Sequence, residues 1–466
     1  MNYTRNIAKS LTAGLSALVL ISCTEDDIRP NGIDEGRIET VSECFCSVYN
    51  PQGGAGATLR LYDEPVWGEV YVTLGSAAGK AVDLKFVYDA EVLNEYNEAN
   101  GTSFGAVPQA NVDLEADGAL LVGPQSVKSD PLRVGITPGG TLAEGETYAV
   151  PLRLVSETEG VGVSASQGTY IFWVQVQGKR PSTDKGTGMI TVCYVEVNDN
   201  NPLNALEWTC KRSGKPLIDI VNIFAANINW IEEERRVGVT LNPNVRHLLD
   251  NRAIYLAPLQ EAGIRVCLTI LGNGDGSGVA NLSDEAARAF AHDLRTIVDT
   301  YGLDGVDFDD EYSKYEEHKD NLWPGCVQYG PDPYARLLYE VKMAMPDKLV
   351  MLYQIGQANY GFKKAVEGVR PGDFIDYVYS DYGALWSTLP HLGLSRRQVG
   401  EGSLDMTYGY ESSPENLQYN RRMGNGVQMV YNLKPGNGQM TPLNDVAKYI
   451  YDDEALWSGI RHEKDW

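Results

Sequence analysis

The chain has 466 residues, more than one ordinary core accommodates, so two folded domains are the expectation. Its 43% hydrophobic and 9% aromatic content excludes a disordered protein. A formal net charge of −24 excludes attraction to nucleic acid or to anionic lipid, leaving neutral or cationic ligands.

Residues 1–22 read as an export signal. Arg5 and Lys9 supply positive charge, and Leu11 to Ile21 form an apolar run too short to span a bilayer. The Leu20-Ile21-Ser22-Cys23 that ends this run resembles the lipobox of bacterial lipoproteins, which implies cleavage before Cys23 and lipid on that cysteine. Thr24-Glu25-Asp26-Asp27 resembles the acidic export tag of some Gram-negative lipoproteins. Together they imply a lipid-anchored outer-membrane protein exposed at the cell surface. Residues 23–38 read as an acidic tether.

Residues 39–176 alternate short β-type runs with Gly, Pro and Asp turns, as at Ala57–Leu61, Glu69–Leu74, Val82–Val87, Leu132–Ile136 and Tyr170–Val176. One brief helical period falls at Glu91–Ala99. Such spacing predicts an antiparallel β-sandwich. It resembles the immunoglobulin-like domain that precedes the catalytic module in some surface glycosidases, where it serves as a spacer or as a binding module. Residues 177–188 are a polar linker.

After the linker, strands and helices alternate through 189–466. Strands are legible at Ile190–Val197, Ile218–Phe224, Arg265–Leu271, Gly305–Asp309, Leu349–Tyr353, Ile375–Tyr379 and Val427–Tyr431. Strand seven is faint, near Gln398–Gly402, and the Asn359–Gly372 connection shows no helix. Helices are clearest at Asn244–Ala262 and Ser283–Tyr301, the second with Ser283 as N-cap. Alternation over about 280 residues predicts a parallel sheet closed as a (β/α)8 TIM barrel.

Six cysteines remain besides Cys23, at Cys44, Cys46, Cys193, Cys210, Cys267 and Cys326, and their spacing shows no disulfide framework. Cys193 and Cys267 sit in apolar strands as buried thiols. With five scattered histidines and neither a CxxC pair nor an HExxH run, no metal site is expected.

The run with the most chemistry is Leu303-Asp-Gly-Val-Asp-Phe-Asp-Asp-Glu311. On a strand, alternate side chains share a face, so Asp307, Asp309 and Glu311 point one way, each about 6.6 Å from the next at ~3.3 Å per residue. Mutual repulsion should raise at least one pKa, keeping a carboxylic acid protonated beside ionised neighbours. That is equipment for glycosidic bond cleavage. A calcium loop fails, because Tyr312 stands where the EF-hand needs glycine.

The full string fits DGxDxDxE, the strand-four signature of glycoside hydrolase family 18. The second half of the chain also resembles the endo-β-N-acetylglucosaminidases of the Endo H and Endo F type, in order, at YVEVNDN 194–200, IFAANIN 223–229, LDN 249–251, ILGN 270–273, YGLDGVDFDDEY 301–312, MPDKLVMLYQIG 345–356, FIDYVYSDYG 374–383 and VYNL 430–433.

The resemblance implies hydrolysis of the GlcNAc-β1,4-GlcNAc core of N-linked, high-mannose glycans without a cofactor. The substrate's own acetamido oxygen would be the nucleophile, giving an oxazolinium intermediate. Glu311 would be the acid and then the base, Asp309 would orient the acetamido group, and Asp307 would share a proton with Asp309. Gln354, with one of Tyr353, Tyr379 or Tyr382, would contact the acetamido carbonyl. Asn227, Asn229, Asn273, Tyr431 and Asn432 would complete the substrate site at the C-terminal ends of the strands. Expected partners are N-linked glycoproteins, the outer membrane and other surface glycan-uptake proteins, not nucleic acid. A chitinase acting on GlcNAc oligomers, or a non-enzymatic glycan-binding lipoprotein, are the alternatives.

Overall fold

The structure is a computed structural model that describes residues 44–49, 56–407 and 414–466. The export signal, Cys23 and the tether lie outside the described residues.

Residues 44–176 form two sheets around one core. The first runs in the order Val161–Val163, Cys44–Tyr49, Val66–Leu74, Leu132–Ile136, Val112–Leu114. The second runs Gly56–Leu61, Thr169–Val176, Thr147–Ser156, Val82–Tyr88, Ala119–Val122, with Gly105–Ala106 beside Thr147–Ser156. Period-two alternation sends Val70 and Val72 of the first sheet into the same core as Leu84, Phe86, Val150 and Phe172 of the second.

Most ladders are antiparallel as expected, but Cys44–Tyr49 pairs parallel with Val161–Val163, and Gly56–Leu61 pairs parallel with Thr169–Val176. The side-chain period is two in either direction, so the pattern carries no sign of strand polarity. One helix, Ala90–Asn100, lies on the second sheet through Val92 and Leu93, capped by Asp89 and ended by Gly101 at φ +64°.

Beyond the linker, parallel strands alternate with helices. The strands are β1 Ile190–Glu196, β2 Ile220–Ile231, β3 Arg265–Gly272, β4 Gly305–Asp309, β5 Leu349–Gln354, β6 Tyr377–Ser380, β7 Val399–Gly400, β8 Leu404–Asp405 and β9 Val427–Tyr431. Their order is β7-β6-β5-β4-β3-β2-β1-β9-β8, with Arg236–Thr240 as an antiparallel hairpin partner of β2. The faint seventh strand is thus two short pieces, the first bonded to β6 and the second to β9. The 359–372 connection holds only single turns, Gly356–Tyr360 and Pro371–Phe374.

Helix Asp284–Tyr301 follows its expected span, with the Ser283 hydroxyl accepting from Ala286 N–H. The single helix expected over Asn244–Ala262 is instead three pieces, Pro243–Asp250, Arg252–Tyr255 and Ala257–Glu261. Asn251 leaves the helical region at φ −106°, ψ 32°, and Pro258 has no N–H to continue the ladder. All six described cysteines are free thiols, with Cys46, Cys193, Cys210 and Cys267 buried.

The two-sheet domain sits under the starts of the parallel strands. Between them lies a cavity of about 500 Å³, lined by Ile190, Ile220, Arg265, Asp304, Leu349 and Tyr377, each at or just before a strand start, and by residues of the 58–67 segment. Ion pairs close this interface. Arg133 donates to Asp299 through Nε at 2.6 Å and Nη2 at 3.2 Å, and Arg180 of the linker donates to Asp304 at 2.6 Å. Arg295 lies 3.6 Å from Glu69.

Candidate active site

The alternation read from β4 is realised. Val306 and Phe308 face outward into the core shared with Phe290, Leu294 and Tyr334, which sends Asp307 and Asp309 inward. Asp307 is completely buried, and three hydroxyls converge on it. Tyr194 donates to its Oδ2 at 2.5 Å, Thr269 to the same oxygen at 3.1 Å, and Tyr379 to Oδ1 at 2.6 Å. Asn222 in turn donates to the Tyr379 hydroxyl at 3.1 Å. These groups come from β1, β2, β3 and β6 and form a polar floor. Burial pushes Asp307 up to about 6, while the three donors hold it down by favouring the charged form.

Asp309 stands one step above the floor, almost fully buried, with Oδ1 finding no hydrogen-bond partner among the described residues. Glu311 follows two residues past the strand end, half-buried, and lines the same pocket as Asp309. Burial raises Asp309 well above the carboxylate range, with Glu311 and then Asp307 adding repulsion. Burial also raises Glu311, helped by Asp381 and Asp310. The expectation credited repulsion for these shifts, but burial leads in all three. The hydrogen bonds to Asp307 come from Tyr194, Thr269 and Tyr379.

Gly272 lets this arrangement close. A Cβ there would lie 2.4 Å from the Glu311 carbonyl oxygen, so β3 can pass the acid only with glycine.

The pocket over the pair has about 140 Å³ and is lined by Tyr353, Tyr382, Tyr431 and Asn432, four of the expected binding residues. The Tyr353 hydroxyl donates to Asp381 at 2.9 Å and accepts from Tyr382 N–H at 3.3 Å. Tyr382 at φ +43° and Asn432 at φ +62° adopt left-handed backbone beside the carboxylates, a cost that clusters at functional sites.

The other expected residues lie elsewhere. Tyr379 is part of the floor, bonded to Asp307. Gln354 is buried with both amide atoms engaged, Nε2 donating to Ala358 O at 2.5 Å and Oε1 meeting His391 Nε2 at 2.6 Å. His391 Nδ1 accepts from Phe362 N–H, and burial pushes this imidazole down to about 3, so its proton sits on Nε2 and points at Gln354. Asn227 and Asn273 line a neighbouring groove, while Asn229 donates to Asp275 at 3.0 Å and accepts from Asn273 at 3.1 Å.

Tyr194, Glu196, Phe224 and Met429 also line the catalytic pocket, and none was singled out in the sequence. The signal was present for the first two, because Tyr194 and Glu196 alternate with buried Val195 on β1. Among the described residues, no three His, Cys, Asp or Glu side chains cluster as metal ligands.

A family model described as an N-terminal domain matches residues 48–161. Over 279 residues the chain is 43% identical to endo-β-N-acetylglucosaminidase F1 of Elizabethkingia meningoseptica, spanning 59% of this chain and 81% of that protein. It is 32% identical over 283 residues to an endo-β-N-acetylglucosaminidase of a Flavobacterium species, spanning 60% of this chain and 86% of that one. Among solved structures it resembles EndoBT-3987 of Bacteroides thetaiotamicron with a Man5GlcNAc product, at TM-score 0.58 and 31% identity, covering 89% of this chain and 96% of that chain. The same protein in complex with a Man9GlcNAc2Asn substrate matches at TM-score 0.58 and 29% identity.

Proposed function

The chain belongs to the endo-β-N-acetylglucosaminidase family, and from that membership we propose that it hydrolyses the β1,4 bond between the two core GlcNAc residues of N-linked glycans, retaining the anomeric configuration. The observation that carries the mechanism is the Asp309–Glu311 pair lining one small pocket above Asp307. Burial raises both carboxyls, which favours the protonated acid that the reaction draws on.

Glu311 gives its proton to the leaving O4 as the C1–O4 bond breaks. The acetamido oxygen of the sugar that carries C1 forms the new bond to C1, and the resulting positive charge faces Asp309. Water then adds at C1, its proton goes to Glu311, and the acetamide reopens. No second protein nucleophile is needed, in keeping with the substrate-assisted exception to the two-carboxylate scheme. Tyr353 and Tyr382 line the pocket that would hold the acetamido group, whereas Gln354 acts from behind, holding the Gly356–Tyr360 turn.

We read β1 to β9 as a (β/α)8 barrel whose seventh strand is interrupted, because β7 and β8 bridge β6 to β9. The two N-terminal sheets suit an immunoglobulin-like sandwich. We also propose the Cys23 lipid anchor and surface location, on the signal, lipobox and acidic run of residues 1–27.

Incubation with a high-mannose glycoprotein, a complex-type glycoprotein and a chitin oligomer, read by mass spectrometry, tests the activity. Release of a glycan ending in one GlcNAc is the expected outcome, and cleavage of chitin alone would overturn it. Glu311→Gln should lower turnover at least ~10²-fold.

A further inference from the structure

The cavity of about 500 Å³ between the two domains lies at the opposite end of the strands from Asp309 and Glu311, and its charges do not pair off completely. Five cations line it, Arg60, Arg180, Arg252, Arg265 and Lys348. Four of them have a carboxylate. Arg60 pairs with Glu261, Arg180 donates to Asp304 at 2.6 Å, Arg265 lies 3.4 Å from Glu64, and Lys348 lies 3.8 Å from Asp347. Arg252 has no ion-pair partner among the described residues, and its Nε is a buried donor without an acceptor.

Asp304 attracts Arg252 but has no oxygen to spare. Its Oδ1 accepts from Arg180, and its Oδ2 accepts from Gln260 at 3.0 Å and from Val266 N–H at 2.8 Å. Burial and the like charge of Arg60 both disfavour the Arg252 cation. The guanidinium is nevertheless given its place, since a Cβ at Gly302 would lie 2.9 Å from Arg252 Nη2. In the same cavity wall the Tyr62 hydroxyl is a second buried group without a partner, its ring 5.0 Å from the Arg180 guanidinium. Tyr62 comes from the two-sheet domain and Arg252 from the parallel-strand domain.

A buried charge without a counter-charge costs more than a bare hydroxyl, and water can satisfy a donor without neutralising it. The edge of a guanidinium presents parallel N–H donors that match two oxygens of a carboxylate, sulfate or phosphate, and a tyrosine hydroxyl can donate to the same group. We propose that the interdomain cavity binds a compact oxyanion, held by Arg252 with Tyr62 as the donor from the facing domain. The bound anion bridges the two domains and strengthens their docking.

The test is isothermal titration calorimetry of the two-domain chain with inorganic phosphate, sulfate and acetate in turn, at constant ionic strength. Saturable binding of at least one of them to wild type is expected, the tightest showing whether the natural ligand is a tetrahedral anion or a carboxylate. Arg252→Met should weaken that binding at least ~10-fold, as for loss of a charged hydrogen bond, and Tyr62→Phe at least ~3-fold. The same anion should raise the melting temperature of wild type and leave that of Arg252→Met unmoved. No saturable heat from any of the three, or equal affinity in wild type and both variants, overturns the site. So does an equal rise in melting temperature for all three proteins, which is a general salt effect. Should Arg252→Met fail to fold, Tyr62→Phe carries the same comparisons. Neither measurement depends on glycan cleavage.

Discussion

Three hydroxyls hold Asp307 against full burial, and each is a handle on its titration. Donors favour the ionised form, so Tyr194→Phe removes a lowering influence and should move Asp307 above about 6. Carboxyl NMR titration reads this directly, and an unchanged or lower midpoint would contradict the geometry. Gly272 is a second handle. Gly272→Ala puts a methyl against the Glu311 carbonyl and must push the acid aside, and a ~1 Å misplacement can cost ~10²-fold in turnover. A kcat loss of that order with little change in KM is expected. Legibility at this scale follows locality. Asp307, Asp309 and Glu311 were readable because one short period places them. Gln354 was not, because His391 captures its amide from 37 residues away. Tyr194 and Glu196 carried the period but stood in no acidic cluster to mark them.

Helix Asp284–Tyr301 leads through Gly302 into β4, so its cap steadies the approach to the catalytic strand. Ser283→Ala removes the acceptor for Ala286 N–H and should cost about 1 kcal/mol, seen as a lower urea midpoint with unchanged slope. This helix was readable from end to end because its cap, its apolar repeat and its terminal glycine agree. The Asn244–Ala262 stretch kept the apolar repeat but contained Pro258, and there the chemistry of one residue outweighs periodicity. The seventh strand was faint for a different reason. Glu401 is buried between β7 and β8, paired with Arg396 and accepting Trp386 N–H at 2.9 Å, and Gly400 passes so close to Val427 that a Cβ would lie 2.7 Å from its carbonyl. A strand built on a buried ion pair and a close backbone approach shows no alternation to read.

Across the whole molecule, one buried coupling between domains is Arg133 on Asp299, a carboxylate 1% exposed that burial raises despite its partner. Arg133→Ala strands that group, and removing one partner of a buried pair costs about 3–5 kcal/mol. Calorimetry should show the two domains melting apart, and a single transition at the original temperature would refute the coupling. Anchoring is tested at the same scale. Cys23→Ala should leave the membrane fraction, and protease shaving of intact cells expressing the wild type should release the enzyme. Length and the change of period at the linker carry the expectation of two domains but say nothing of docking, because Arg133, Asp299, Arg180 and Asp304 are far apart in sequence and meet only in the folded chain.

The seating of the two-sheet domain beneath the strand starts fixes a direction. The carboxylates open at the opposite end of the strands, so whatever holds the N-terminal domain holds the enzyme by its back. A bulky glycoprotein approaching Glu311 meets the rim formed by the ends of the strands and their loops, not the support below. A support that acts through the N-terminal domain therefore leaves the mouth of the catalytic pocket clear.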